Sequence, residues 1–253
     1  MLTAALWGLI QGITEFLPIS SSGHLVLVPA LLGVDEPDLA TTAVLHLGTL
    51  LAVVWFYRRD LLGLVTAPRS PESRTIWMLL VIGTVPAAIV GLGLGDPIEI
   101  IFDEPWLVAV ALVVTGLVLA AGLLLPPGDR KLTSGRWPDA VVVGMAQAFA
   151  LIPGISRSGM TITAGMAQGL ERVQAARYGF LLAVPAITGA GLIQGYELID
   201  AGTFEASLLV GVLTAAISGY FAISLLVRLL GARSMAPFAL YCVVGGAVSY
   251  FLV

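Results

Sequence analysis

Long apolar segments separated by short polar loops run through the whole chain. Six of them approach the ~20 residues that a helix needs to cross the hydrocarbon of a bilayer. We predict membrane spans near 39–57, 75–95, 106–125, 178–195, 206–227 and 236–253. Two further apolar regions, 2–32 and 138–170, are each broken midway by proline, glycine and serine. Because each half of a broken region is too short to cross, we predict two re-entrant helix–loop–helix hairpins.

The composition indicates a membrane protein. Of the 253 residues, 58% are hydrophobic and 11% are charged, and the mean hydropathy is +0.99. These values lie far from those of soluble domains. No cleavable signal pattern is recognised at the first apolar segment. The net charge of −4 makes nucleic acid an unexpected partner, and we expect the single Cys242 to be a small buried hydrophobic residue.

The charged residues divide the loops into two sets. Eleven of the twelve basic residues lie in 58–74, 126–139, 171–177 and 228–235. In the remaining loops, at 35–38, 96–104 and 197–205, every charged residue is acidic. With six spans and two hairpins that do not cross, every basic loop falls on one side of the membrane. The positive-inside rule places that side in the cytoplasm and both termini outside.

Two segments are similar when they are offset by 136 positions. Seven residues then coincide, pairing Gly8 with Gly144, Gln11 with Gln147, Ile19 with Ile155, Ser20 with Ser156, Ser22 with Ser158, Gly23 with Gly159 and Gly33 with Gly169. Each half of the chain is one hairpin plus three transmembrane helices, and this odd number of crossings inverts the second half. We therefore predict an all-α integral membrane protein with an inverted repeat. It forms a single polytopic domain, 1–253, with halves at about 1–125 and 138–253 and a linker at 126–137.

Glu15 and Arg157 are the only charged residues predicted at membrane depth. Burying either one without a partner is costly, so such residues indicate a functional site. A purely structural ion pair is the alternative, but it leaves the serines of both hairpins unexplained. We expect the tips of the hairpins to meet near the midplane and to form one composite site.

The second hairpin has the features of a phosphate site. Arg157 offers a planar fork of donors that matches phosphate oxygens. The hydroxyl groups of Ser156, Ser158 and Thr161 add further donors. Gly154 allows backbone N–H groups to turn inward as an anion nest. The loop also ends at a helix N-terminus, whose partial positive charge favours an anion.

The first hairpin supplies oxygen ligands and a proton acceptor. Gln11 and Glu15 are four residues apart and share one helical face. This pair is suited to hold Mg²⁺ or Ca²⁺ together with phosphate oxygens of a substrate. Alternatively, Glu15 orients or deprotonates a nucleophile.

Candidate nucleophiles follow in the connecting loop. The hydroxyl groups are those of residues 20–22, and His24 can donate or accept a proton. At least one of the three serines is expected to serve only as a helix N-cap. Because His24 lies in a polar loop, we favour a functional role for it. His46 lies within an apolar span. We expect it to be an interior histidine whose hydrogen bonds are satisfied within the protein, and at most to contact residues of the site.

On these residues the chain resembles the undecaprenyl-diphosphate phosphatase family of the bacitracin-resistance type. That family has a Glu/Gln-x-x-x-Glu element running into Pro-x-Ser-Ser-x-Gly-His, and a later Pro-Gly-x-Ser-Arg-Ser-x-x-Thr segment. In this chain the motifs run from Gln11 to Glu15, from Pro18 to His24 and from Pro153 to Thr161. The resemblance extends along essentially the whole chain.

The resemblance implies a plasma-membrane enzyme that removes the terminal phosphate of a polyprenyl diphosphate and leaves the monophosphate lipid carrier used in cell-wall synthesis. It implies dependence on a divalent cation and an active site open to the outer face. It also implies that Glu15, His24 and Arg157 are catalytic and that Ser21 or His24 is the nucleophile, with Ser20 and Ser22 beside the phosphates. Gln11 replaces a carboxylate, which shifts metal binding onto Glu15. The expected partners are the lipid substrate and membrane lipids; the sequence leaves a homodimer open.

A transporter or flippase for an anionic lipid or another anion is the alternative function. Inverted repeats with broken helices at the midplane also form secondary transporters. Transport needs access from both sides of the membrane and does not need a nucleophile. Removing Ser21 and His24 together would abolish hydrolysis and spare transport. A purely structural subunit fits poorly with an isolated Glu15 and Arg157.

Overall fold

The computed structural model describes residues 1–200, 206–232 and 234–253, without the side chains of 39–40, 96, 99, 192–200 and 232. Within these ranges the regular secondary structure is helical, apart from one isolated parallel bridge between Arg130 and Leu170. The helices are α1 (Leu2–Phe16), α2 (Ser21–Leu32), α3 (Leu39–Phe56), α4 (Arg58–Thr66), α5 (Pro71–Gly93), α6 (Gly95–Phe102), α7 (Pro105–Gly122), α8 (Trp137–Phe149), α9 (Arg157–Ala167), α10 (Arg172–Asp200), α11 (Leu208–Ala232) and α12 (Ala236–Leu252).

Three of the described helices, α5, α7 and α11, are long and apolar enough to cross a membrane. A fourth candidate is the bent pair Thr41–Phe56 and Arg58–Thr66, whose halves meet at 72°. The shorter α2 and α12 are also apolar, and α10 covers the predicted span near 178–195 with 29 residues. The protein is therefore an all-helical membrane protein.

Two predicted loops contain helices. The segment 58–74 was predicted to be a loop, but Arg58–Thr66 forms α4, because Leu61, Leu64 and Val65 recur at helical spacing. Leu64 is buried, and Trp77 donates from its indole N–H to the Leu64 carbonyl oxygen at 3.2 Å. The acidic segment 96–104 likewise contains most of α6. The acidic side chains predicted at 197–205 lie outside the described residues.

Both hairpins break where the sequence predicts. The first helix ends at Phe16, since Leu17 precedes a proline and adopts an extended backbone, φ −66° and ψ 142°. The second helix then begins with a serine cap: the Ser20 hydroxyl accepts from the Gly23 N–H at 3.2 Å. In the second hairpin the Ser156 hydroxyl accepts from the Gly159 N–H at 3.1 Å. The two halves of each broken region are therefore separate helices.

The first helix of each hairpin packs against a long helix of the other half of the chain. A Cβ atom at Gly8 of α1 would overlap the carbonyl oxygen of Gly211 in α11. A Cβ atom at Gly144 of α8 would likewise overlap the backbone of Gly83 in α5. Glycine thus allows the helix axes to approach closely, as is common in membrane proteins. These two crossings hold the hairpins inside the bundle.

The linker is tied to both ends of the second hairpin by Arg130. Its guanidinium donates to Asp139 at 2.6 Å and to the carbonyl oxygen of Gln168 at 2.6 Å. Asp139 also accepts from the backbone N–H of Arg136 at 2.8 Å and is 1% exposed. Burial raises the pKa of Asp139, but the hydrogen bonds from Arg130 and Arg136 outweigh it and hold the pKa below its ordinary value.

Candidate active site

The tips of the two hairpins are in direct contact. The Ser158 hydroxyl donates to the carbonyl oxygen of Leu17 at 3.1 Å. In the other direction, the Gly154 N–H donates to the Ser22 hydroxyl at 3.3 Å. Ser22 and Ser158 occupy equivalent positions at the 136-residue offset. In each hairpin the serine two residues after the helix cap therefore bonds to the loop of the other hairpin.

A cavity of about 220 Å³ lies where the hairpins meet. Its polar lining comprises Glu15 and residues 20–22 from the first hairpin, Gln147, Ser156 and Arg157 from the second, and Thr42 and His46 from α3. Apolar residues of α3, α5, α6, α10 and the second hairpin complete the wall. The volume is below that of pockets for whole drug-sized ligands, so it suits a polar headgroup whose apolar part lies elsewhere.

Glu15 is the centre of the polar cluster. One carboxylate oxygen, Oε2, accepts from the Ser21 hydroxyl at 2.5 Å and from the Gln11 amide at 3.0 Å. The other oxygen, Oε1, accepts a hydrogen bond from the Arg157 guanidinium, and the two charged groups form an ion pair. The Glu15 side chain is 4% exposed, so its charge is compensated by a cation and two neutral donors.

Ser21 and Arg157 reach Glu15 from equivalent positions. Each is the first residue of the second helix of its hairpin, and the two are 136 residues apart. A serine hydroxyl and a guanidinium therefore converge on the two oxygens of one carboxylate. The sequence predicted Glu15, Ser21 and Arg157 in one site, and the structure brings these three side chains together.

Side chains of α7 and α12 hold the two loops. The Thr115 hydroxyl donates to the Gly154 carbonyl oxygen at 3.0 Å and accepts from the Ser156 N–H at 2.9 Å. Gly154 has φ 89°, and a Cβ atom there would overlap Val108. In the first loop the Cys242 thiol lies 3.5 Å from the Pro18 carbonyl oxygen. The buried Thr115 and Cys242 therefore fix the hairpin tips from the side.

His24 lies outside the cavity. Its Nδ1 is 2.7 Å from the Ser20 carbonyl oxygen, and its Nε2 is 2.7 Å from the hydroxyl of Tyr241 in α12. The two rings are stacked, with centroids 5.7 Å apart. The structure therefore does not bring the His24 ring to Glu15.

Four other predicted residues stand behind the cavity rather than in its lining. Gln11 is fully buried and its amide nitrogen donates to Glu15, while its Oε1 has no partner in the part of the chain that the structure describes. Thr161 donates to the carbonyl oxygen of Arg157 at 2.8 Å. Ser158 and Gly154 are engaged with the opposite hairpin as described above. These residues position the groups that line the cavity.

His46 and Gln147 line the cavity although the sequence did not assign them to it. His46 Nε2 is 3.5 Å from Oε2 of Glu15, and its Nδ1 bonds to the Thr42 carbonyl oxygen at 2.8 Å. Gln147 is 1% exposed, and its Oε1 has no hydrogen-bond partner among the described residues. The equivalence of Gln147 with Gln11 in the repeat was a signal for its location; His46 has no such signal.

The residues present suit a divalent cation in one arrangement. The described residues contain no group of three or more His, Cys, Asp or Glu side chains able to hold a metal ion. Glu15 lines the cavity, and behind it, one helical turn earlier, Gln11 has an Oε1 for which the described residues provide no hydrogen-bond partner. Mg²⁺ is commonly held by one or two carboxylates together with substrate phosphates. The site therefore fits a cation for which the phosphates supply most of the ligands.

Comparison with known proteins agrees with the motifs. Residues 4–248 match the family described as Bacitracin resistance protein BacA. The chain is 42% identical to the Undecaprenyl-diphosphatase of Methanosphaera stadtmanae, with 100% of this chain and 98% of that protein covered. It is 42% identical to the Undecaprenyl-diphosphatase of Myxococcus xanthus, covering 98% and 87% of the two chains. It is 43% identical to that of Geobacter sulfurreducens, covering 98% and 97%.

Proposed function

The chain belongs to the BacA family of bacitracin resistance proteins, and from this premise we propose that it is an integral membrane undecaprenyl-diphosphatase. It removes the terminal phosphate of a polyprenyl diphosphate and leaves the monophosphate lipid carrier. The observation that carries the proposal is the convergence of Ser21 and Arg157 on Glu15 in one small polar cavity. A nucleophile, a proton acceptor and a cationic clamp are the parts that phosphoryl transfer needs.

The proposal includes an inverted repeat of one hairpin and three spans in each half. The 136-residue offset supports it, as does the reciprocal packing of α1 on α11 and of α8 on α5. The basic loops lie in the cytoplasm, and the cavity opens to the outer face of the plasma membrane. Phe102 of α6 lies in the acidic segment 96–104, which the charge pattern places on the outer side. Its contribution to the cavity lining supports this orientation.

The diphosphate binds with its phosphates in the cavity and its prenyl tail among the spans. Arg157 pairs with the phosphate oxygens, and Ser20, Ser22 and Ser156 line the same space. The apolar wall, which includes Ile187 of α10, faces the first part of the tail. Since the transition state of phosphoryl transfer is loose and highly charged, most of the catalysis is positioning and electrostatics.

Ser21 is the proposed nucleophile, because its hydroxyl is 2.5 Å from Oε2 of Glu15. Glu15 accepts the hydroxyl proton as Oγ bonds to the terminal phosphorus. The bond from that phosphorus to the bridging oxygen breaks, and its electron pair stays on the lipid monophosphate. Water then attacks the phosphorus of the phosphoserine, the bond from that phosphorus to Oγ breaks, and Glu15 returns its proton to Oγ. Both protons of the water leave with inorganic phosphate, as dihydrogen phosphate. Arg157 stabilises the charge on the transferred group in both steps.

A bound Mg²⁺ or Ca²⁺, held by Glu15 and Gln11 with the diphosphate, would neutralise the charge that collects on the leaving monophosphate. The protein groups would still provide the nucleophile, the proton acceptor and the orientation of the headgroup.

The test is phosphate release from undecaprenyl diphosphate by the purified protein in detergent, with and without EDTA. We expect release that EDTA abolishes and that falls at least about 10³-fold in Ser21→Ala, as expected for loss of a nucleophile. Ser224→Ala is the matched control, since Ser224 donates to its own helix at the Tyr220 carbonyl oxygen. No release by folded wild-type protein with several metals would exclude the phosphatase and favour a transporter of an anionic lipid.

A further inference from the structure

The backbone at Ser20 adopts a rare conformation. Among the described residues it is the only one other than glycine with a positive φ, at φ 65° and ψ 104°. Such a conformation costs an L-residue free energy and persists only where neighbouring groups hold it. Ser20 immediately precedes Ser21, so its ψ angle sets the direction in which Ser21 leaves the loop toward Glu15.

Two hydrogen bonds from His24 hold the carbonyl group of Ser20. The His24 backbone N–H donates to that oxygen at 3.2 Å, and the ring Nδ1 lies 2.7 Å from it. A carbonyl oxygen can only accept, so Nδ1 carries the hydrogen and Nε2 is the ring's acceptor. The hydroxyl of Tyr241 then donates to Nε2 at 2.7 Å, with the two rings stacked.

In the second hairpin the equivalent capping residue, Ser156, has no histidine that holds its carbonyl group. Ser156 has a relaxed backbone, with φ −77° and ψ 116°. The residue equivalent to His24 is Met160, which has no ring nitrogen to offer. The histidine therefore occurs in the hairpin whose cap residue is strained.

We propose that His24 and Tyr241 are positioning residues. Together they hold the strained Ser20 carbonyl from α2 and α12, so that the Ser21 hydroxyl points at Glu15. His24 contributes to hydrolysis through this geometry and neither bonds to phosphorus nor exchanges a proton with the substrate. The inference rests on the proposed phosphatase function and adds Tyr241 to the residues on which that function depends.

Two substitutions of His24 separate positioning from acid–base or nucleophilic chemistry. The side-chain amide of asparagine can place a donor near the Nδ1 position, whereas that of glutamine reaches the Nε2 position. Neither amide titrates or acts as a nucleophile. We expect His24→Asn to keep kcat within about tenfold of wild type, and His24→Gln to lose about 100-fold with little change in KM, as expected for a misplaced reacting group. Equal losses in the two variants would overturn the proposal, because a nucleophile or proton carrier is missing from both.

Tyr241→Phe tests the outer end of this hydrogen-bonded chain. We expect kcat to fall about fivefold to tenfold, the effect of one hydrogen bond, with KM little changed. Tyr250→Phe on the same helix is the control, since Tyr250 makes an edge-to-face contact with Phe251 and is more than two helical turns from Tyr241, and we expect wild-type kcat. Wild-type kcat in Tyr241→Phe would overturn the role of Tyr241.

The wild-type reaction in the same assay distinguishes a failure of the proposed phosphatase function from a failure of the positioning role. An inactive wild type defeats the proposed function. An active wild type in which His24→Asn is no better than His24→Gln defeats only the positioning role.

Discussion

In both hairpins a serine caps the second helix, and its hydroxyl contacts a second serine two residues later. These distances are 3.2 Å between Ser20 and Ser22 and 3.1 Å between Ser156 and Ser158. The residue between them is Ser21 in one hairpin and Arg157 in the other, and both reach Glu15. The comparison shows how one repeated scaffold delivers two different groups to one carboxylate.

The hairpins differ in where the backbone is strained. In the second hairpin the positive φ lies on Gly154, where it costs little. In the first it lies on Ser20, next to Ser21, and there His24 of α2, itself bonded to Tyr241 of α12, holds the Ser20 carbonyl group. A short hydroxyl must be aimed by the backbone, whereas a long arginine side chain can reach its partner from a relaxed one. The strain therefore accompanies the group with the shorter reach.

The largest expected effect follows from removing the charge that the second hairpin contributes. In Arg157→Met we expect hydrolysis of undecaprenyl diphosphate to fall about 10³-fold, since the charge of the transferred group loses its clamp. We also expect the free energy of unfolding to fall by about 3–5 kcal/mol, because Glu15 is left buried without its cation. Phosphate release and thermal unfolding in detergent measure the two effects.

Adding Glu15→Gln to Arg157→Met separates the effect on hydrolysis from the effect on stability. The double variant should regain most of the stability, since no buried carboxylate is left unpaired, and none of the activity. Full activity in Arg157→Met would exclude the clamp. A double variant as unstable as the single one would show that the two residues are not coupled.

A smaller effect is expected where the linker joins the second hairpin, which Asp139 anchors. Because the folded-state pKa of Asp139 is lowered, the carboxylate stabilises the fold above its unfolded pKa of about 4. This contribution is lost as the pH falls through the lower, folded-state pKa. We expect Asp139→Asn to reduce the free energy of unfolding by about 3 kcal/mol at pH 7 and by progressively less as the pH falls below 4.

Thermal unfolding across pH measures this difference, with Asp129→Asn as the control, an exposed carboxylate on the same linker. A destabilisation that is the same at pH 7 and pH 3 would mean that Asp139 acts without its charge.

The smallest expected effects distinguish the two serines that join the hairpins. Each makes one hydrogen bond to the opposite loop, so we expect Ser22→Ala and Ser158→Ala each to cost about 1 kcal/mol of stability. Ser22 also lines the cavity and Ser158 does not. We therefore expect KM to rise about threefold to tenfold in Ser22→Ala alone, as expected for one lost hydrogen bond to the substrate. Equal KM values in the two variants would remove Ser22 from phosphate binding.

The sequence predicted the hairpins well, because their signals are local. Pro18 and the serine caps end and begin helices in any context. Glu15 and Arg157 are isolated charged residues within apolar segments, where a buried charge must find a partner. These constraints act within one turn or through a single buried charge, so they can be read without the tertiary structure.

The direction of the other polar side chains could not be read in this way. His46 lies in α3, a helix that is apolar on nearly every side, so its periodicity does not say which side faces the cavity. His24 lies beside the reacting groups in sequence, yet it turns toward Tyr241, which is 217 residues away. Only the packing of α12 against the first hairpin decides this direction.

The ion pair between Arg157 and Glu15 has a consequence for the turnover of the lipid. Since the guanidinium already binds a carboxylate before any phosphate arrives, uptake of the headgroup is an exchange of one anion for another. The internal competitor lowers the affinity for every phosphate equally, including the inorganic phosphate that is released. After cleavage Glu15 is again available to pair with Arg157, so the guanidinium is not left without a counter-ion when inorganic phosphate leaves.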